Sequence, residues 1–232
     1  YLATWRGILP REKFHRIVYG PMPTSAHNIC KSKPLAKISP HHHKERIFTM
    51  NKKELMETTL SQKEIFEGRI FSVHVDDVAL PDGRESTREV VHHISGGACV
   101  VPLTADGKVY IVRQCRYPYA DVLTEIPAGK LDPGEAPEEC AKRELIEECG
   151  VRAGKLTSLG TLYPTPAYVD EVIHMFLAED LVPAEQRLDE GEFLEAETVS
   201  LETLVEQVLS GEIKDSKTQA ALLKTWLLKG RK

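Results

Sequence analysis

Long apolar runs are missing from this 232-residue chain. The most sustained, such as Ala98 to Val101, stop far short of the ~18 to 20 residues that a bilayer-crossing helix needs, so a helical membrane protein is excluded. Paired cysteines are missing too. Cys30, Cys99, Cys115, Cys140 and Cys149 are odd in number and form neither a CxxC pair nor zinc-ligand spacing, which argues against a disulfide framework or a structural zinc and fits a reducing cytoplasm. There is no excess of positive charge: 30 Lys+Arg face 35 Asp+Glu, a formal charge of −5, so nothing recruits nucleic acid or an anionic membrane surface. Signal-peptide character and internal repeats are also lacking. What is present is 41% hydrophobic content, enough to build the core of one generous domain, or of one domain plus an extension.

The extension is visible in the charge. Residues 1–49 carry nine Lys+Arg against only Glu12 and Glu45, whereas the remainder carries 21 basic and 33 acidic residues. Residues 20–40 are rich in Gly, Pro, Ser, Asn and Lys and show no sustained period, which predicts a poorly ordered basic segment. We read the His41-His42-His43 triplet that follows as incidental rather than as a metal site, and Met50 as the start of the functional domain, with 1–49 an upstream extension outside the native protein.

Within the acidic region, Ile70 to Leu80 alternates apolar and polar residues and runs into Pro81-Asp82-Gly83, which predicts a strand turning back onto Thr87–Ile94. Ala98–Leu103 and Val109–Arg113 flank Asp106-Gly107 and predict a second hairpin. Ala136–Cys149 is made of helix formers, with Pro137 in the first turn and Gly150 just past the end. Leu156–Tyr163, Glu171–Leu177 and Phe193–Val199 predict strands, and Leu201–Leu209 and Ser216–Leu228 amphipathic helices. Strands and helices are segregated rather than alternating, so the expected class is α+β, a layered sandwich with a mixed sheet.

One helix concentrates the chemistry. At 100° per residue, Glu147 and Glu148 fall at about −60° and +40° from Glu144, so three carboxylates share one sector beside an apolar stripe of Ala141, Leu145 and Cys149. Two carboxylates at ~5 Å repel by roughly 3 kcal/mol at an effective dielectric of ~20, a penalty that a counter-charge removes. Hard oxygen ligands favour Mg2+, with Mn2+ as the usual substitute. Arg143 precedes Glu147 by one turn and is placed to orient it by an i,i+4 ion pair. Cys140 projects beside the acidic sector, where neighbouring carboxylates would raise its thiol pKa, and it is not taken as a nucleophile.

Gly129, five residues, Glu135, seven residues, then Arg143-Glu144-Leu145-Ile146-Glu147-Glu148-Cys149-Gly150-Val151 matches every fixed position of G-x5-E-x7-REUxEExGU, where U is aliphatic. In this the sequence resembles the Nudix hydrolases. The resemblance implies a loop-helix-loop box in an α/β/α sandwich, and hydrolysis of a nucleoside diphosphate linked to another moiety, with Glu144, Glu147 and Glu148 as metal ligands. Glu147, Glu148 and Arg143 also enter the catalytic set.

Two further segments resemble the ADP-ribose pyrophosphatase branch: Glu125-Ile126-Pro127-Ala128-Gly129-Lys130, and Arg113-Gln114-Cys115-Arg116-Tyr117-Pro118. That branch implies a metal contact from the Ala128 carbonyl, substrate phosphate contacts from Arg116 (a better match than Arg113) and Arg88, and substrate-binding roles for Glu125 and Gly129. In Tyr163-Pro164-Thr165-Pro166-Ala167-Tyr168-Val169-Asp170-Glu171 it implies a turn before a catalytic base, Glu171, although Ala167 stands where the family usually has glycine. Residues 66–95 would form an N-terminal β element of a homodimer, and Phe71 and Tyr117 are candidates for packing on adenine. The expected reaction is Mg-dependent cleavage of ADP-ribose to AMP and ribose 5-phosphate. The alternatives are another nucleoside diphosphate sugar, or a non-catalytic ADP-ribose-sensing domain. The SQPWPFPxS-like segment expected of an NADH pyrophosphatase is absent.

Overall fold

The computed structural model describes residues 54–230, so Cys30, the histidine triplet and the expected start at Met50 lie outside the described residues. The first three strands, β1 (Thr58–Glu67), β2 (Phe71–Ala79) and β3 (Glu85–His93), form an antiparallel sheet in that order. The β2–β3 hairpin matches its sequence signal. The sequence gives no sign of β1 because TTLSQKEIFE is exposed along its whole length, so neither face carries an alternation to read.

Next come β4 (Gly97–Pro102), β5 (Lys108–Arg116), β6 (Asp121–Glu125), β7 (Ala128–Lys130), α1 (Pro137–Cys149), β8 (Val151–Leu162), β9 (Ile173–Pro183), β10 (Leu194–Ser200), α2 (Leu201–Ser210) and α3 (Ser216–Lys229). They build two sheets, a mixed one of order β7-β4-β9-β8 with β4 and β9 parallel, and an antiparallel one of order β10-β5-β6.

The expected second hairpin is therefore corrected. Its turn does close: the Gly107 amide donates to the Thr104 carbonyl at 3.1 Å, Gly107 adopts φ +81°, and Leu103 bridges Val109. Beyond that bridge the strands part into different sheets. Every residue of β4 is buried, as in a central strand, and β7 and β9 occupy both of its edges, which leaves none for β5.

Alternation along the mixed sheet sorts its two faces. Ala98, Val100, Phe176 and Ala178 pack against Cys140, Ala141 and Leu145 of α1. Cys99, Val101, Met175 and Leu177 face the other way, into a cluster with Leu204 and Val205 of α2 and Ala221 and Leu222 of α3. Helices thus cover both faces, the α/β/α sandwich that the motif resemblance implied.

Gly150, in the left-handed region at φ +64°, ends α1 and donates to the Ile146 carbonyl at 2.9 Å. The chain following β9 satisfies two further carbonyls of the last turn: the Arg187 amide donates to Glu147, and the Gln186 side chain to Glu148.

Candidate active site

The amphipathic pattern of α1 presses part of its acidic sector against the sheet. Glu148 is 1% exposed and Glu144 lies at the edge of burial, while Glu147 is half-buried. Glu148 is held by its Oε2, which accepts from the Ala128 amide at 3.0 Å. Because N–H and C=O of one residue leave a strand on the same edge, the Ala128 carbonyl shares the edge that meets Glu148. The other carboxylate oxygen, Oε1, is buried without a hydrogen-bond partner. Burial first, and then the charge of Glu144, push the Glu148 carboxyl up to about 8. Burial likewise raises Glu144.

Arg143 does more than the i,i+4 pair required. It donates to both oxygens of Glu135 at 2.9 and 3.0 Å, to Glu144 at 2.7 Å, to Glu147 at 2.9 Å and to the Lys130 carbonyl at 3.1 Å. It ties the loop before α1 to the helix and orients carboxylates, which makes it a positioning residue. It also supplies Glu144 and Glu147 with part of the counter-charge that the sequence reasoning gave entirely to a metal. Glu148 has no ion pair among the described residues and feels only the more distant charge of Lys217.

Among the described residues, no three His, Cys, Asp or Glu side chains converge as a closed metal cage. A buried Glu148 oxygen without a hydrogen-bond partner, within reach of the charge of Glu144, still fits a hard divalent cation, since Mg2+ is commonly held by one or two carboxylates with waters and substrate phosphate completing its octahedron.

Gly129 is explained by space. A Cβ there would sit 1.7 Å from the Glu144 Oε1, so only glycine lets β7 and α1 approach this closely. Cys140 is fully buried, and its thiol is pushed up to about 12, by burial ahead of its charged neighbours; this corrects the expected cause and keeps the sulfur unreactive.

A cleft of about 620 Å³ opens along this edge and is lined by Arg116, Glu125, Ala128, Gly129, Glu144 and Glu171. Glu125, expected to contact substrate, is 1% exposed and engaged by cations, so its role passes through them. Arg116 donates to it bidentately, 2.6 Å on each oxygen, while its Nη1 has no protein acceptor among the described residues. Arg113 instead pairs with Glu197 at the surface.

The post-box loop folds with Ala167 in place, without a left-handed residue, as the Tyr168 and Val169 amides both donate to Thr165. It is pinned to β3: the Val91 amide donates to Tyr168, and Asp170 accepts from the His93 amide and contacts the His92 Nδ1 at 2.6 Å. Glu171 reaches the cleft wall with His93 Nε2 at 3.9 Å.

Arg88 is not brought to this cleft. It lies on β3, donating to Glu57 from both Nε and Nη2. Tyr117 is 91% exposed and off the cleft, whereas Tyr119 lines it; Phe71 packs on Phe66 with ring centroids 5.9 Å apart. Sequence reasoning missed Asp189, Glu192 and Lys217, all of which line the cleft. The charge of Glu192 contributes to the raised pKa of both Glu144 and Glu148. The only sequence signal for it was an acidic cluster between two predicted strands.

The NUDIX domain model matches residues 95–222, more than half of the chain. The chain belongs to the Nudix family. A nucleoside diphosphate sugar hydrolase N-terminal domain matches residues 57–91, the span of the first sheet. The chain is 44% identical over 172 residues to an ADP-ribose pyrophosphatase of Bacillus subtilis (strain 168), covering 73% of this chain and 92% of that protein. It is 38% identical over 168 residues to a methanol dehydrogenase activator of Bacillus methanolicus, covering 72% of this chain and 90% of that one. A crystal structure of an ADP compounds hydrolase superposes with a TM-score of 0.67 at 25% identity, covering 75% of this chain and 96% of that chain. The Nudix box is thus the helix and loop built around Glu144, Glu147 and Glu148.

Proposed function

We propose that this Nudix hydrolase cleaves the diphosphate of ADP-ribose to AMP and ribose 5-phosphate with Mg2+, for which Mn2+ can substitute. The observation that carries the reading is the buried Glu148 with one oxygen unpartnered and the other on the Ala128 amide, while Ala128 and Glu144 line a cleft that also presents Arg116. Glu144, Glu147, Glu148 and the Ala128 carbonyl would hold the ion, which when bound offsets the charge of the diphosphate and of the oxygen that leaves. Arg116, gripped by Glu125, presents its remaining guanidinium nitrogen to a phosphate. Arg143 aligns Glu144 and Glu147 with Glu135 and lends them positive charge.

Glu171 at the cleft wall is the first candidate for taking the proton of the attacking water. A second reading, favoured by the electrostatic reach of Glu192 to Glu144 and Glu148, gives that proton to Glu192. The N-terminal domain model over residues 57–91 supports a nucleoside diphosphate sugar as substrate, and the Bacillus subtilis relative supports ADP-ribose among them. The test is turnover over a panel of nucleotide sugars with and without Mg2+. Preference for another sugar would move the assignment within the family, and binding without turnover would favour a sensing domain.

The protein is further proposed to act as a homodimer through its N-terminal β element. β1 is an edge strand exposed throughout, and Phe66, Ile70, Phe71 and Ile94 are exposed at the neighbouring end of the same sheet. An unpaired edge beside exposed apolar side chains is a surface that a second copy of the chain would cover.

A further inference from the structure

We propose that Lys217, at the start of α3, is a positioning residue for the reaction: it holds Glu125, and Glu125 holds Arg116 in the orientation that receives a substrate phosphate. The inference rests on the reading of Arg116 as the phosphate contact.

Lys217 is a lysine in a place where lysines are rarely found, 8% exposed at the wall of the cleft. Its Nζ donates to Glu125 Oε2, the oxygen that also accepts from Arg116 Nη2, and it lies 3.1 Å from Asp215 Oδ1. Asp215 caps α3, accepting from the Thr218 amide at 2.9 Å and its hydroxyl at 2.6 Å. The same hydroxyl accepts from the Ile126 amide at 3.0 Å. Two consecutive residues of α3, Lys217 and Thr218, therefore grip two consecutive residues of the segment that leads into the box, Glu125 and Ile126.

Two cations and two carboxylates close this cluster. Arg116 is its most exposed member, at 37% of its side chain, and Glu125 its most buried. A carboxylate this buried stays ionised only with its partners in place, and its pKa is lowered in spite of burial because Arg116 and Lys217 both donate to it. Without Lys217, Glu125 keeps a single partner and loses its tie to α3. The guanidinium that it steers then loses its fixed direction, which weakens phosphate binding ahead of any effect on bond cleavage.

Steady-state kinetics on the full chain with ADP-ribose and Mg2+ test this in Lys217→Met, Glu125→Gln, the double variant and Arg116→Ala. Lys217→Met is expected to raise KM about tenfold while kcat falls no more than about twofold, a split that general loosening of the fold would not produce. Because Lys217 acts through Glu125, the double variant is expected to be no worse than Glu125→Gln alone. That comparison holds even where Lys217→Met by itself fails to fold, since the double variant removes the buried charges together. Losses that multiply in the double variant would place Lys217 on the substrate itself and overturn the proposal. So would an unchanged KM in Lys217→Met when Arg116→Ala raises it. An unchanged KM in Arg116→Ala would instead overturn the underlying assignment of Arg116.

Discussion

Glu148 and Arg143 show how a box of similar-looking acids divides into different tasks. Burial and backbone contact single out Glu148 as the carboxylate in need of a cation, and Arg143 stitches Glu135, Glu144 and Glu147 into a fixed array. The Glu135 carboxyl is held down at about 2, chiefly by the Arg143 guanidinium, against an ordinary value of 4.5. A depressed carboxyl stabilises the fold fully above its unfolded value and loses that contribution as pH falls through the folded one. Glu135→Gln is therefore expected to melt below wild type at pH 7 and to converge on it as the pH falls from about 4.5 toward 2; parallel thermal melts across that range check it. The spacing of the box made the Arg143–Glu147 pair legible, because the two sit one helical turn apart; the ties of Arg143 to Glu135 and Glu144 were not foreseen. Glu192 was not legible, since it reaches the box from 44 positions further along the chain by way of a loop fastened to the end of α1. Glu171→Gln is expected to lower kcat by more than about 100-fold and Glu192→Gln by less, measured at saturating substrate and metal. The reverse order would give the base to Glu192.

Among the elements, sequence pattern was a good guide where an element buries one stripe and a poor one where it buries none or everything. The apolar stripe and glycine end of α1, and the capped amphipathic helices α2 and α3, fell close to their expected bounds. β1 buries nothing, and β6 and β7 are five and three residues long, so periodicity had little to register. The false hairpin arose because a good turn specifies only its own closure, whereas the partners of a fully buried strand are chosen by distant segments such as β9. The β7–α1 contact belongs to this scale as well. Gly129→Ala places a methyl carbon where the Glu144 carboxylate lies, so it is expected to displace that side chain and to cut kcat by more than about tenfold while the far-UV circular dichroism is retained. Wild-type turnover in that variant would show that Glu144 does not need its present position.

For the molecule as a whole, the first sheet and the cleft are mechanically joined. β3 holds the loop that carries Glu171, and Ile70, between β1 and β2, lines the cleft. A second copy covering Phe66 and Phe71 would thus brace the site from outside. Sedimentation of the wild type at micromolar concentration is expected to give a dimer, and the Phe66→Glu/Phe71→Glu double variant a monomer. A monomeric wild type would contradict the proposed assembly and leave the single-chain cleft intact. The cleft could not be read from composition, because it depends on which strands end up side by side.

The central claim is that a buried carboxylate at the heart of the Nudix box works with a divalent ion to hydrolyse ADP-ribose. The most direct measurement is release of AMP from ADP-ribose by the wild type and by Glu148→Gln, each assayed after chelation and again after adding Mg2+. The account predicts turnover only in the wild type with metal, and a fall of at least about 100-fold in the variant. Equal rates in the two proteins, or a wild-type rate that survives chelation, would contradict it.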